Sequence, residues 1–73
     1  PVTNIKYSIA KEGFVKLAVY DILGNEIDVL MNQKQTSGKY ELSWNAERFS
    51  SGVYFYKLIT NGFTQTKRML LLK

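Results

Sequence analysis

The sequence feature that most constrains the fold is an alternation of apolar and polar residues between short turn signals. The alternation is clear in two early stretches, whose apolar positions are Ile5, Tyr7, Ile9, Val15, Leu17 and Val19. Period-two alternation is typical of strands that bury one face. The turn signal Lys11-Glu12-Gly13 separates the two stretches, and no helical pattern competes with either. We therefore predict an all-β chain.

The later segments continue the pattern. Ile27 and Val29 predict a short third strand, and the polar residues 32–38 predict a loop. Tyr40 begins a fourth strand, Val53 a fifth and Phe63 the last. Six or seven short strands with turns about every ten residues indicate a small antiparallel β-sandwich. The predicted core is formed by Ile5, Tyr7, Ile9, Val15, Leu17, Val19, Tyr40, Leu42, Trp44, Tyr54, Tyr56 and Leu58.

Turn residues separate the strands. Asp21 is suited to an Asx turn, in which its side chain accepts hydrogen bonds from nearby backbone, and Asn25 tolerates a positive φ. Asn61-Gly62 predicts a type I′ hairpin, which needs positive φ at both central residues. The predicted structural turn positions are Asp21, Gly24, Gly38, Gly52, Asn61 and Gly62.

The last segment departs from the alternation. A basic pair, Lys67 and Arg68, precedes a continuous apolar run that starts at Met69, and Lys73 follows that run. Such a run predicts a strand that is covered on both faces. We expect Leu70 and Leu72, which share a face, either to be buried in this way or to contact a partner.

Composition argues against an enzyme. The 73 residues include no histidine, the commonest general base at neutral pH, and no cysteine. Ser50 and Ser51 have no evident activating partner and are interpreted as turn residues. Asp21, Asn25, Glu26 and Asp28 lie close together in the sequence but lack the spacing of a calcium loop, so a turn is favoured there. We predict no catalytic residue, no metal site and no cofactor.

The charge pattern favours a solvated surface. The net charge is +4, and most basic residues are scattered singly, at Lys6, Lys11, Lys16, Lys34, Lys39, Arg48 and Lys57. A nucleic-acid site would concentrate such residues beside stacking aromatics, so no nucleic-acid partner is expected. No apolar run approaches the roughly 20 residues of a membrane span. Because the chain begins at Pro1 rather than methionine, we expect it to be part of a longer protein.

Five segments, taken in order, carry a family resemblance. They are Pro1-Val2-Thr3 with Ile5, Tyr7 and Ile9; Val15 to Asp21 with Gly24; Gly38 with Tyr40 and Trp44; Ser51 to Tyr56 with Leu58; and Lys67-Arg68-Met69 with Leu71. This order and spacing resembles the C-terminal sorting domain of type IX secretion cargo, the Por secretion system of Bacteroidota. Each motif alone also occurs in other immunoglobulin-like domains, but the five together span the chain. The chain begins inside the opening motif, so the linker where such domains are usually cut would lie upstream of Pro1.

The resemblance implies an immunoglobulin-like β-sandwich in which residues 1–73 are the last domain of a larger exported protein. It implies a non-catalytic secretion signal that acts in cis on its cargo. The implied partners are the outer-membrane translocon, shuttle proteins and a cell-surface sortase that removes the domain and attaches the cargo to lipopolysaccharide. The implied location is the periplasm in transit and then the cell surface or the medium.

Under this resemblance the recognition residues are the last seven, Lys67, Arg68, Met69, Leu70, Leu71, Leu72 and Lys73. For the three charged members we favour partner recognition over folding, because exposed charges contribute little to stability. Two alternatives remain open. One is a carbohydrate-binding or adhesive module that uses the exposed aromatics Phe55 and Tyr20, and the other is a structural immunoglobulin-like spacer.

Overall fold

A computed structural model describes residues 2–73, so Pro1 of the opening motif lies outside the described residues. The described chain forms six β-strands and contains no helix that could cross a membrane. The strands are β1 (Val2–Ile9), β2 (Gly13–Tyr20), β3 (Glu26–Gln35), β4 (Gly38–Asn45), β5 (Gly52–Thr60) and β6 (Phe63–Leu71).

The strands form two antiparallel sheets of unequal size. One sheet has only β1 and β4, and the other has four strands in the order β3-β2-β5-β6. The central pair, β2 and β5, places Leu17 opposite Leu58, and both side chains are buried. The prediction of a small all-β sandwich is confirmed, with six strands.

The alternating apolar faces of the two sheets meet in one core. The buried members are Ile5, Tyr7, Ile9, Val15, Leu17, Val19, Trp44, Tyr54 and Leu58, and the partly buried Tyr40, Leu42 and Tyr56 pack against them. Ala46 and Leu71 join this cluster although their positions did not single them out in the sequence. Trp44 contacts Tyr54 edge-on, with ring centroids 5.6 Å apart. Its indole N–H donates to Oδ2 of Asp28 at 3.1 Å, which satisfies its one polar atom.

One polar side chain is also buried in this region. Gln35 accepts a hydrogen bond through Oε1 from the Tyr7 hydroxyl at 2.9 Å. Burial raises the pKa of Tyr7 above its ordinary value. The Tyr7 ring stacks on Tyr40 at a centroid distance of 5.3 Å. A buried amide thus has a partner, as such groups require.

The prediction that residues 32–38 form a loop is wrong. Strand β3 continues to Gln35, and only Thr36 and Ser37 separate it from β4. Residues 32–34 are exposed on this edge strand, where backbone pairing with β2 holds them and polar side chains remain in water. Two register shifts between β2 and β3 disturb the pairing further along. The alternation of apolar and polar residues therefore stops several residues before β3 ends.

The last hairpin has the predicted two-residue turn but not the predicted type. Thr60 pairs with Phe63, so Asn61 and Gly62 form the turn. Gly62 has a φ of 72°, and in the described chain no residue other than glycine has positive φ. The turn thus has the φ signs of a type II turn, in which only the second central residue needs a positive φ.

The turn predicted at Lys11-Glu12-Gly13 is shorter than expected by one residue, because Gly13 already belongs to β2.

Truncating a core leucine should cost far more stability than truncating an exposed one. Leu17 is 0% exposed, and we expect Leu17→Ala to lower the free energy of unfolding by about 2–5 kcal/mol. Leu70, which is 58% exposed, is the matched control, and Leu70→Ala should stay within about 0.5 kcal/mol of the parent. Urea unfolding of the three chains measures both values. Equal losses in the two variants would contradict this placement of the core.

Candidate functional site

The candidate recognition segment lies at an edge of the molecule. Strand β6 pairs with β5 and, within residues 2–73, with no other strand. Its pairing is regular from Thr60 opposite Phe63 to Gly52 opposite Leu71, without a register shift. An unpaired edge exposes a row of backbone N–H and C=O groups that another strand can use. The segment therefore offers both side chains and a backbone edge.

The apolar run at the end of β6 does not have two covered faces, and that prediction is wrong. Leu71 is 4% exposed and belongs to the core, whereas Leu70 is 58% exposed and Leu72 is 73% exposed. Leu70 lies opposite Val53 on the outward face of the sheet, which no second sheet covers. Burial of Leu70 and Leu72 is thus excluded as the reason for their apolar character.

The outward face carries a compact set of side chains, which we call the outer patch. It consists of Val53, Phe55, Arg68 and Leu70, because Val53 pairs with Leu70 and Phe55 pairs with Arg68. Side chains of directly paired residues lie about 4.5–5.5 Å apart at Cβ. Leu70 and Arg68 are exposed, while Val53 and Phe55 are half-buried. The patch combines an apolar surface with one guanidinium group.

The basic pair is divided between the two faces of β6. Arg68 belongs to the outer patch, whereas Lys67 pairs with Tyr56 and faces the side of the small sheet. Lys67 is nevertheless exposed, because β1 and β4 do not extend over this part of β6. The two charges therefore meet different surroundings, as the period of two requires of adjacent residues in a strand.

Lys73 contacts the body of the domain. Its ammonium group donates to the carbonyl oxygen of Glu47 at 2.6 Å, and its backbone N–H donates to Oγ of Ser51 at 3.1 Å. These contacts attach the end of the segment to the loop at residues 46–51. The same loop carries Phe49, whose ring lies 5.5 Å from that of Trp44. Lys73 thus has a structural contact that only the fold brings together.

Asp21 organises the turn between β2 and β3. Its Oδ1 accepts hydrogen bonds from the backbone N–H groups of Leu23 and Asn25, each at 2.9 Å, and its Oδ2 accepts one from Nδ2 of Asn25 at 3.3 Å. This is the predicted Asx turn. The N–H of Asn25, with smaller contributions from neighbouring groups, holds the pKa of Asp21 below its ordinary value. Both carboxylate oxygens are therefore engaged by the turn itself.

The aromatic residues on the outward face are less open than the sequence suggested. Tyr20 and Phe55 are half-buried, and the ammonium group of Lys57 lies 4.9 Å from the centroid of the Tyr20 ring. The Tyr20 hydroxyl donates to Glu26 at 3.3 Å, and Lys16 forms an ion pair with the same carboxylate at 2.9 Å. The hydrogen bond from Lys16 lowers the pKa of Glu26. The polar and charged side chains on this part of the face thus bind one another.

The serines of the loop at residues 46–51 have structural contacts. Ser50 accepts a hydrogen bond through its backbone oxygen from the Tyr54 hydroxyl at 2.7 Å, and Ser51 accepts the one from Lys73. Among residues 2–73, no group of three or more acidic side chains is arranged to hold a metal ion. The edge strand β6 offers a free backbone edge together with exposed apolar and basic side chains.

Comparison with known proteins identifies one matching family. A family model described as a secretion system C-terminal sorting domain matches residues 1–72. No curated protein and no solved structure matches the chain.

The Asp21 turn should make stability depend on pH at the acidic end. Because folding lowers the pKa of Asp21, its stabilising effect is complete above the unfolded-state value of about 3.9 and is lost as the pH falls through the folded-state value. We expect the melting temperature of Asp21→Ala at pH 7 to be lower than that of the parent, and this difference in melting temperature should shrink below about pH 4. Thermal unfolding followed by circular dichroism measures this difference.

Asp21→Asn is the matched variant, since it keeps an oxygen acceptor for the turn and removes the charge. Its melting temperature at pH 7 should lie between those of the parent and of Asp21→Ala. A gap between the parent and Asp21→Ala that stays constant down to acid pH would show that the carboxylate charge is not what stabilises the turn.

Proposed function

This chain belongs to the family of secretion system C-terminal sorting domains, and on that premise we propose that it directs a parent protein across the outer membrane by type IX secretion without catalysing a reaction. The family match spans nearly the whole chain, and the all-β sandwich presents an open edge where machinery can bind. The observation that carries the proposal within this chain is the exposure of Leu70 and Leu72 beside Arg68 on and after β6.

The exposed leucines are difficult to explain by folding alone. Leu71 and half-buried Met69 hold β6 on the core, so the strand is anchored without help from its outward side chains. Contiguous exposed apolar surface on a small domain typically marks an interaction site. The outer patch is therefore the surface that a partner would contact, with Arg68 supplying an orienting charge.

The free backbone edge supplies the second element of recognition. A partner strand that pairs with β6 gains main-chain hydrogen bonds, and the side chains of alternate residues then determine specificity. Under this proposal the last seven residues divide into two groups. Met69, Leu71 and Lys73 fix the segment to the domain, whereas Lys67, Arg68, Leu70 and Leu72 contact the partner.

The wider route follows from the family rather than from any contact in this chain. We propose that residues 1–73 form the last domain of a larger exported protein, its cargo in cis. Shuttle proteins and the outer-membrane translocon would bind the domain in the periplasm. A cell-surface sortase would then remove it and attach the cargo to the surface, so that the cargo ends on the cell or in the medium.

A fusion experiment tests the role of the outer patch. The chain is joined to the end of a periplasmic reporter in a Bacteroidota host, and reporter on the surface and in the medium is quantified. We expect Arg68→Ala combined with Leu70→Ala to reduce export about tenfold, because both remove contacts with the partner. The melting temperature should change little, since both side chains are exposed.

Lys39→Ala combined with Leu23→Ala is the matched control. These side chains are also exposed and of the same chemical kinds, but they lie on β4 and in the turn after β2. Export of this control should equal that of the parent. Normal export of the Arg68 and Leu70 variant would refute the role of the outer patch, and a folded parent fusion that stays in the periplasm would refute the sorting function.

Deleting residues 69–73 would be a poorer test. The deletion removes Leu71 from the core and both hydrogen bonds of Lys73. Loss of export could then follow from unfolding. Substitutions of outward side chains separate recognition from stability, because they leave the anchoring contacts in place.

A further inference from the structure

The unequal size of the sheets leaves part of the inner face of β6 uncovered. Phe63, Gln65 and Lys67 pair with Thr60, Leu58 and Tyr56 of β5, so they lie on the same side of the sheet as the core residue Leu58. All three are exposed, and Phe63 is 52% exposed. The two-stranded sheet therefore leaves open the position of a third strand, which would lie beside β1 and over the inner face of β6.

A groove marks this position, and we call it the side groove. Its volume is about 230 Å³, and it is lined by Lys6, Tyr7, Ser8, Tyr56, Leu58, Phe63, Gln65 and Lys67. It thus runs between β1 and β6, each of which has a strand partner on one side only among residues 2–73. An extended segment that paired with the free edge of β1 would lie along this groove.

The charge of the side groove is positive. Lys6 and Lys67 contribute the charged groups, and no acidic residue lines the groove. Glu41 lies opposite Lys6 on β4, but the two side chains do not form an ion pair; within residues 2–73 the ion pairs are Lys16 with Glu26 and Lys34 with Glu12. The apolar floor is supplied by Tyr56, Leu58 and Phe63.

We propose that the side groove binds an extended acidic segment of a partner protein, which pairs with the free edge of β1 as a third strand of the small sheet. A carboxylate on the outward face of that segment contacts Lys6, because Lys6 alternates with the buried residues of β1. On the inward face of the segment a second carboxylate contacts Lys67 and an apolar side chain covers Phe63. Backbone pairing supplies affinity, and the alternation of side chains supplies specificity. The proposal uses a different face of β6 from the outer patch, and it shares only Lys67 with the residues assigned to sorting. The export test leaves Lys67 unchanged, so the two proposals are tested separately.

A second copy of this chain is a poorer occupant on grounds of charge. Each chain carries a net charge of +4, and pairing two copies through this groove would bring their lysines together. Like charges in apposition oppose association. An acidic segment instead neutralises both lysines of the groove.

Nuclear magnetic resonance of the isotope-labelled chain tests the proposal. The probe is a short capped peptide with the sequence valine, glutamate, threonine, glutamate, glutamate, which in an extended strand places carboxylates on both faces and the valine on the same face as the last glutamate. We expect the peptide to shift the amide signals of residues 6–8 and 65–67 with a Kd of about 1 mM or tighter. Raising the ionic strength from about 0.01 to about 0.15 M shortens the screening length from about 30 to about 8 Å and should weaken binding.

Two probe controls separate charge from backbone pairing. A peptide with lysine in place of glutamate should not bind, and a glutamate peptide with methylated backbone nitrogens on one edge should bind at least about tenfold more weakly. Equal binding by the methylated peptide would overturn the strand-addition geometry. Shifts that appear on raising the protein concentration without peptide would assign the groove to a second copy and overturn the proposal.

A charge-reversal variant tests the position of the site. Lys6→Glu combined with Lys67→Glu should weaken binding about tenfold, whereas Lys11→Glu combined with Arg48→Glu, with the same net charge, should leave binding close to that of the parent. Retained signal dispersion and an unchanged melting temperature verify folding in both variants. Equal loss in the two variants, or no shift at the groove in the parent, would overturn the proposal. Neither outcome bears on the export test, which changes Arg68 and Leu70.

Discussion

The pairing of β2 with β5 is the contact on which the rest of the molecule depends. Leu17 and Leu58 face each other at the centre of the larger sheet, and the small sheet packs over them. A 73-residue domain has roughly 4–11 kcal/mol of stability in total. One buried leucine is therefore a large share of what keeps the chain folded, and the core leaves little surplus for additional strained or exposed features.

The asymmetry of four strands against two produces both proposed surfaces. The outward face of the large sheet has no layer over it, so Leu70 and Arg68 remain in solvent. The small sheet does not cover the inner face of the large sheet at β6, so Lys67 is also exposed to solvent. One edge strand thus presents two chemically different surfaces, and a domain with no enclosed site can still bind partners by its edges.

The sequence predicted the strands and core well because burial imposes a simple period. Trp44 has polar neighbours on both sides, and in β5 the charged Lys57 marks the face opposite to Tyr54 and Leu58. All three predicted core residues are buried. The signal failed where burial does not control the residue type. The polar end of β3 is held by backbone pairing and by the hydrogen bond of Gln35 with Tyr7 rather than by apolar burial. Leu70 is apolar although it is exposed. In both places the period gave no information, since the sheet edge rather than the core determines the environment.

Other features of the candidate site depended on long-range geometry. Adjacent residues of a strand lie on opposite faces, and the pairing register of β6 determines that Lys67 faces the small sheet while Arg68 faces outward. The contact of Lys73 with Glu47 joins positions far apart in the sequence, and no local pattern signals it. The family resemblance, by contrast, came from the order of five short motifs, and the family match over residues 1–72 confirms it.

The topology also bears on the order in which the chain assembles. β5 and β6 are joined by a two-residue turn. β1 and β4, by contrast, are separated in the chain by the whole of β2 and β3, and they pair from Val2 opposite Asn45 to Ile9 opposite Gly38. Loop closure makes such distant pairing slower than hairpin formation. When the complete chain refolds, we therefore expect the β5–β6 hairpin, and with it the outer edge of β6, to form before the pairing of β1 with β4 that completes the sandwich.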